Sequence, residues 1–229
     1  MSIVIEGVIA AGKTELVNIL AEKLGSTKYL EPVSNNPILP KFYEDQKRWS
    51  FPLQVYFLNA RFRMLKKALT EKNSLLDRAI YCDSVLAKNV HDNGNMTDEE
   101  YSLYLDLLQN MMDETGYLPK KHPDLIIYIK VSNETELKRI SKRGRPFEQI
   151  ETHPDLKNYY SSLQKLYDGW AKSWSLSPIL TIDGDKYDFV NNNTDREIVL
   201  NNIYDNMNYL GLLTAKEYSD LNNKLNIQL

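Results

Sequence analysis

Short apolar runs alternate with longer amphipathic stretches along the chain. The strand-like runs are IVI at 3–5, KYLEP at 28–32, SLLDR at 74–78, DLIIYIKV at 124–131 and PILTID at 178–183. The first is apolar without a break, as in a parallel strand that is buried on both faces. This alternation predicts an α/β fold with a five-stranded parallel sheet flanked by helices.

Two of the helical stretches, residues 51–72 and 97–116, are long. The second carries two adjacent apolar stripes, formed by Leu103, Leu107 and Met111 and by Tyr104, Leu108 and Met112. One stripe is enough to face the core, so the other can contact a partner subunit. We therefore expect a dimer, built from two copies of this chain or from this chain and a sister subunit.

The 229 residues are enough for one domain with a sizeable core. The segments SNNPILP at 34–40 and VNNNTD at 190–195 are loops by composition. After Leu213 the chain is polar and rich in asparagine, with little apolar surface to bury. We expect one domain over residues 1–213 and a polar tail over 214–229.

A glycine-rich segment follows the first strand-like run and matches the pattern G-x-x-x-x-G-K-[ST]. In this pattern the backbone N–H groups of a tight loop wrap phosphates, Lys13 reaches the outer phosphates and Thr14 ligates Mg²⁺. The helix that follows the loop points its partial positive charge at the anion. A strand, turn and helix with glycines in this pattern by chance is the alternative. The residues predicted to bind ATP here are Gly7, Val8, Ala10, Ala11, Gly12, Lys13 and Thr14.

The second and third runs end in Glu31-Pro32 and Asp77-Arg78. Ligands of open α/β sheets lie beyond the carboxyl ends of the strands. There Glu31 can accept a proton from an acceptor hydroxyl, and Arg78 can neutralise charge on a phosphoryl group in transit. Either dipeptide alone is equally compatible with a capping residue or a surface ion pair. Beside a phosphate loop, the two together indicate phosphoryl transfer to an alcohol.

A basic segment, LKRISKRGRPFEQ at 137–149, follows the fourth run. Arg139 and Arg143 lie about one helical turn apart, and Arg145 and Glu148 follow across Gly144. Such a segment can close over phosphates as a lid. Alternatively, its cations complement the dipole at the end of a helix. The other motifs favour a lid.

Composition bears on partners and compartment. A net charge of −3 argues against nucleic acid or an anionic membrane as the main partner. Cys82 is the single cysteine, so it forms no internal disulfide, and we expect an inert buried thiol. Neither a secretion leader nor an apolar run of membrane-spanning length is recognisable. We expect a reduced, cytoplasmic protein.

The order of the motifs resembles the deoxyribonucleoside kinases, and among them the deoxyadenosine and deoxyguanosine kinases of lactic acid bacteria. The resemblance extends over about residues 1–210. Its motifs are GxxxxGKT at 7–14, Glu-Pro at 31–32, Tyr43, Gln54, DRxxYxD at 77–83, RGRxxE at 143–148 and IDGD at 182–185.

The resemblance implies a P-loop kinase fold with a short basic lid, and transfer of the γ-phosphoryl group of ATP to the 5′-hydroxyl of a purine deoxynucleoside. It implies that Glu31 is the general base, that Arg78 holds this base and the phosphates, and that Asp77 lies near Mg²⁺. The resemblance further implies that Tyr43 and Glu148 bind the sugar 3′-hydroxyl, and that the lid residues Arg139, Arg143 and Arg145 contact phosphates. It implies that the acceptor base is read by Gln54, Arg61 and Asp83. It places the donor base near Asp183, Gly184 and Asp185.

Three positions depart from the family pattern. Ala10 stands where another glycine is usual, and Ala79 replaces a serine. Ala87 occupies a position often held by a phenylalanine that stacks on the base, which we expect to leave room for a two-ring base. Because the Gln54 amide complements the donor and acceptor edge of adenine, we expect deoxyadenosine ahead of deoxyguanosine.

Three alternatives remain open. One is a broader deoxynucleoside kinase that also accepts deoxycytidine. A thymidylate-type monophosphate kinase shares the phosphate loop, Glu-Pro and Asp-Arg, but its Glu-Pro typically follows an arginine and precedes two glycines, whereas Leu30 and Val33 flank the dipeptide here. A GTP-driven switch could use the D-x-x-G element at 113–116, but the sequence contains no N-K-x-D guanine reader.

Overall fold

A five-stranded sheet forms the centre of the computed structural model, which describes residues 1–33, 36–117 and 122–226. The strands are β1 (Ser2–Gly7), β2 (Thr27–Tyr29), β3 (Ser74–Asp77), β4 (Leu125–Lys130) and β5 (Ile179–Asp183). They pair in parallel in the order β2-β3-β1-β4-β5. Each strand falls within or overlaps one predicted run, so the expected five-stranded parallel sheet is confirmed.

Helices connect the strands. In chain order they are α1 (Lys13–Leu24), α2 (Leu39–Glu44), α3 (Gln46–Ala68), α4 (Asp83–Asp92), α5 (Asp98–Thr115), α6 (Asn133–Arg143), α7 (Leu156–Ser173), α8 (Asn193–Tyr209) and α9 (Ala215–Asn226). The predicted helix at 51–72 begins earlier, because the Asp45 side chain caps it by accepting the Arg48 N–H at 3.1 Å. None of the described helices is both long and apolar enough to cross a bilayer.

Alternate side chains of β1 enter two separate apolar layers. Ile3 and Ile5 pack in the layer that contains buried side chains of α1, α7 and α8. Val4 packs on the opposite face, with Leu58 of α3 and Tyr104 of α5. Both faces of the central strand are therefore covered, which explains its unbroken apolar sequence.

The parallel register brings the carboxyl ends of the strands to one edge of the sheet. Gly7 at the end of β1 pairs with Ile129 of β4, and Lys130 pairs with Asp183 at the end of β5. Asp77 at the end of β3 pairs with Ile5. The phosphate loop, Asp77-Arg78, the basic lid and the loop after β5 consequently leave the sheet at the same edge.

The predicted polar tail, residues 214–229, contains α9, and this helix contacts the domain. Leu221 is buried in the core, and the Tyr218 hydroxyl donates to Asp205 of α8 at 2.6 Å. Polar composition therefore does not keep this segment away from the core, and the boundary at 213 stays a prediction. Residues 227–229 of the tail, and 34 and 35 of the predicted loop at 34–40, lie outside the described residues.

Gly184, just after β5, has no room for a side chain. A Cβ atom there would lie 2.7 Å from Val131 Cγ1 and 3.1 Å from Ile129 Cγ2. We predict that Gly184→Ala lowers the free energy of unfolding by ~1–3 kcal/mol, as overpacking usually does, measured by urea denaturation. The control is Gly169→Ala in α7, where an added Cβ meets nothing within 4 Å. This control should raise stability by up to about 1 kcal/mol; equal losses in both variants would contradict the prediction.

Candidate active site

The phosphate loop between β1 and α1 depends on backbone conformations that favour glycine. Gly7 and Gly12 have φ of 151° and 103°. A Cβ at Gly7 would lie 2.7 Å from the carbonyl oxygen of Ile129, so β4 excludes any larger residue. Ala10 has φ of 57°, in the left-handed region. The alanine at this usual glycine position thus keeps the loop conformation at a cost of about 1–2 kcal/mol.

Lys13 and Thr14 begin α1 at this loop. The Lys13 ammonium donates to the carbonyl oxygen of Val8 at 2.7 Å. Burial, together with the charge of Arg78, lowers the pKa of Lys13 to about 8. A phosphate chain would supply the negative charge that this buried cation needs.

Thr14 and Asp77 supply oxygen ligands beside the loop. The Thr14 hydroxyl donates to Asp77 Oδ2, while Asp77 Oδ1 is buried without a hydrogen-bond partner. Among the described residues, no group of three or more His, Cys, Asp or Glu side chains could hold a metal ion by itself. Mg²⁺ usually takes one or two carboxylates and completes its shell with water and substrate phosphates. The donor set here fits that ion.

Glu31 lies between two arginines. Arg61 donates to Glu31 Oε1 through Nε, at 3.2 Å, and through Nη2. The Arg78 Nε atom lies 3.5 Å from Glu31 Oε2. Burial alone would raise the pKa of Glu31, but the charges of Arg61 and Arg78 outweigh it and the pKa is lowered. Glu31 is therefore a carboxylate at neutral pH and can accept a proton.

Arg61 is wholly buried, and its second partner is Asp83, which accepts from Nη1. Burial raises the pKa of Asp83 to about 6, against the lowering effect of Arg61. The family resemblance places Arg61 among the readers of the base, but here two carboxylates engage its guanidinium. No pattern in the sequence signals the contact between Arg61 and Glu31, because the two residues lie 30 positions apart in unrelated elements.

Gln54 is buried on the same helix, α3, and its Oε1 atom has no hydrogen-bond partner. It lines the cavity that contains Glu31 and Arg78. The apolar or aromatic side chains that line this cavity include Leu39, Phe42, Tyr43, Leu53, Phe57, Leu86 and Tyr159. The cavity therefore offers flat apolar walls and one amide that can read an edge.

Ala87 does not line this cavity. Among the described residues of α4, Leu86 does so, whereas Ala87 is wholly buried in the layer that contains Tyr104. Successive positions on a helix point about 100° apart, so neighbours face different layers. The expectation that Ala87 leaves room for a two-ring base stays a prediction, because a small side chain that stops short of the cavity is compatible with it.

Tyr43 and Glu148 also line this cavity, and Glu148 belongs to the short helical turn Pro146–Glu148. The ring of Tyr43 lies 5.3 Å from that of Phe147. Glu148 is buried and accepts from Arg143 at 2.5 Å and from Arg145 at 3.2 Å. The structure thus brings the two residues expected at the sugar together with two lid arginines.

Arg139, the third lid arginine, connects the phosphate loop to the loop after β5. Its guanidinium donates to the carbonyl oxygens of Ala11 at 2.9 Å and Gly184 at 2.7 Å. Asp185 is held in turn by the backbone N–H of Ser132 at 2.8 Å. These elements surround a second cavity of about 680 Å³. Lys13 lines both this cavity and the first. The D-x-x-G element at 113–116 lies instead at the end of α5.

The chain is similar over most of its length to proteins of known activity. A family model described as deoxynucleoside kinase matches residues 3–208. A deoxyguanosine kinase of Lactobacillus acidophilus is 48% identical over 211 residues, which cover 92% of this chain and 92% of that protein. A deoxyadenosine kinase of the same organism is 47% identical over 211 residues and covers 92% of this chain and 98% of that protein.

Solved structures show the same architecture. Deoxyadenosine kinase from M. mycoides with bound dATP is 30% identical, with a TM-score of 0.74, and covers 89% of this chain and 99% of that chain. The same enzyme with the products dCMP and a flexible dCDP bound is 28% identical, with a TM-score of 0.71, and covers 89% and 98%. The P-loop kinase fold is confirmed, and the chain belongs to the deoxynucleoside kinase family.

Proposed function

We propose that this protein transfers the γ-phosphoryl group of ATP to the 5′-hydroxyl of a purine deoxynucleoside. The observation that carries the proposal is Glu31, an ionised carboxylate held by Arg61 and Arg78 in a cleft between the phosphate loop and the Gln54 amide. The named activities of the L. acidophilus relatives, a deoxyguanosine kinase and a deoxyadenosine kinase, support it.

Each residue of the site has its own role in phosphoryl transfer. Glu31 accepts the proton of the 5′-hydroxyl, whose oxygen attacks the γ-phosphorus while the bond to the β-phosphate oxygen breaks. Lys13 and the loop N–H groups hold the outer phosphates, and Arg78 neutralises charge on the transferred group. Mg²⁺, held by Thr14 and Asp77, would screen the phosphate charges when bound.

A hydroxyl acceptor fits this site better than a phosphate acceptor. A monophosphate would bring negative charge against the Glu31 carboxylate, which already uses both neighbouring arginines. A neutral 5′-hydroxyl brings no such repulsion and can donate a hydrogen bond to the same carboxylate. This argues against the thymidylate-type alternative.

The unpartnered Gln54 Oε1 atom favours a base that presents an amino group beside a ring acceptor. Adenine has that edge at N6 and N7. Guanine presents two acceptors there, O6 and N7, so the Gln54 amide could pair with only one of them, and the guanidinium of Arg61 is already engaged by Glu31 and Asp83. We therefore place deoxyadenosine ahead of deoxyguanosine. Cytosine presents a similar edge, and the M. mycoides enzyme was solved with dCMP, so deoxycytidine is the second candidate.

Removal of the general base should slow phosphoryl transfer. We predict that Glu31→Gln lowers kcat by ~10²-fold or more, the scale of a positioned general base, while ATP affinity stays nearly unchanged. Steady-state rates with deoxyadenosine and calorimetric ATP binding measure the two effects. The control is Glu44→Gln, an exposed carboxylate at the end of α2, which should leave kcat unchanged. Near-native turnover of Glu31→Gln would exclude Glu31 as the base.

Removal of the amide should change the choice of base. We predict that Gln54→Ala lowers kcat/KM for deoxyadenosine by ~10–100-fold, since one hydrogen-bonded edge contact is worth roughly 1–3 kcal/mol. The loss for thymidine, which lacks that edge, should be much smaller. Measurement of kcat/KM across the four deoxynucleosides also decides between the purine and the deoxycytidine candidates. Equal losses for all four would show that Gln54 does not read the base.

We further propose that α5 contacts a second copy of the chain. Leu103 is 58% exposed, and Leu107, Leu108, Met111 and Met112 are only partly buried. Leu107→Glu should convert a dimer to a monomer in sedimentation experiments, because it places a charge in an apolar contact. Leu176→Glu, at an exposed leucine before β5, is the control and should stay dimeric. A wild-type monomer at micromolar concentration would contradict this proposal.

A further inference from the structure

Arg78 has a backbone conformation that is rare for its residue type. Its φ is 67°, in the left-handed region, and among the described non-glycine residues only Ala10 shares a positive φ. This conformation costs about 1–2 kcal/mol and persists only where surrounding contacts hold it. The contacts that hold Arg78 therefore bear on its chemistry.

Glu6 supplies the first of these contacts. It is the penultimate residue of β1, at the centre of the sheet, and is wholly buried. Its Oε1 atom accepts the backbone N–H of Ala79 at 3.0 Å, on the peptide that directly follows Arg78. Its Oε2 atom lies 3.8 Å from Arg78 Nη1 and has no hydrogen-bond partner. One carboxylate therefore faces both the backbone and the guanidinium of this arginine.

Other buried groups complete the support. The hydroxyl of Tyr167, from α7, accepts from Arg78 Nη1. Cys82 lies beside these groups, with its Sγ atom 3.5 Å from the Tyr167 hydroxyl and 4.0 Å from the carbonyl oxygen of Ala79. Burial raises the pKa of this thiol well above its ordinary value. The expectation that Cys82 is buried is confirmed, and its contacts place it in the support of Arg78.

These contacts set the direction of the guanidinium. With Nη1 engaged by Tyr167 and facing Glu6, the Nε atom faces Glu31 at 3.5 Å. Arg78 also lines the cavity that contains Glu31. Loss of the Glu6 carboxylate would release the peptide after Arg78 and the far side of its guanidinium together.

We propose that Glu6 is a positioning residue for phosphoryl transfer, which holds Arg78 against Glu31 and the transferred phosphoryl group. The inference rests on the proposed function, because Glu6 acts only through Arg78. Burial raises the pKa of Glu6 to about 6, against the charge of Arg78, so the carboxylate is largely ionised at pH 7.5.

The first test separates turnover from binding. Glu6→Gln keeps the size of the side chain and an oxygen that accepts the Ala79 N–H, but it removes the charge. Kcat should fall by ~10–100-fold, the scale of a misplaced catalytic group, while KM for ATP and for deoxyadenosine changes by less than about threefold. The control is Asp124→Asn, which alters a carboxylate that accepts the Ser2 N–H at the other end of β1, and its kcat should match the wild type. Unchanged kcat in Glu6→Gln would overturn the proposal.

The second test is a double-mutant cycle with Arg78→Ala. If Glu6 acts through Arg78, Arg78→Ala alone lowers kcat by ~10²-fold or more, and adding Glu6→Gln lowers it by less than about twofold further. Equal losses from Glu6→Gln in both backgrounds would show a purely structural role and overturn the inference, while leaving the proposed function intact. Near-native kcat in Arg78→Ala would overturn the inference together with the role of Arg78, whereas a wild-type enzyme that phosphorylates no purine deoxynucleoside would overturn the proposed function.

If Glu6→Gln does not fold, Glu6→Asp tests the proposal in its place. It retains the charge but withdraws it by one methylene from Ala79 and Arg78. It should lower kcat in the wild-type background and have no further effect in the Arg78→Ala background. Equal losses in the two backgrounds, or no loss in either, would overturn the proposal.

Discussion

Charge pairing beneath the cleft is the constraint on which the site depends. Arg61 and Arg78 are buried, and Glu31 is shared between them. A buried charge without a partner costs several kcal/mol, so each of these residues needs the others in place. Because Glu31 follows β2, Arg78 follows β3 and Arg61 lies on α3, the pairing also fixes how these elements meet.

The same pairing determines the basicity of Glu31, the general base that we propose. Two arginines lower the pKa of Glu31, which makes it available at neutral pH but a weak proton acceptor. A weak base is adequate for phosphoryl transfer, because in a loose transition state the attacking oxygen has formed little of its bond to phosphorus. Most of the catalytic effect must then come from positioned cations, which is why the support of Arg78 by Glu6 and Tyr167 matters.

The two cavities that we propose for the acceptor and the donor share lining residues. Residues that line both are Ala10, Lys13, Thr14, Arg143 and Arg145. Under the proposed function Lys13 lies where the two substrates meet, and Arg143 and Arg145 line both cavities. Both arginines contact Glu148, which lines the first cavity and is the residue that we expect at the sugar.

Several features were determined by local sequence alone. The buried strands follow from unbroken apolar runs, and the phosphate loop follows from Gly7, Gly12 and Lys13, because close neighbours in the chain set these conformations. The positions of Glu31 and Asp77-Arg78 at strand ends also followed, since parallel strands end at one edge. This is why the fold and the family could be predicted before the structure.

Only the tertiary structure decided which side chains become partners. The contact between Arg61 and Glu31 and the support of Arg78 by Glu6 join segments far apart in the chain. A glutamate in an apolar strand carries no signal of what it faces. The same holds for Ala87, whose layer depends on how α4 packs, and for the docking of α9. Partner choice depends on the packing of distant segments, which local periodicity does not encode.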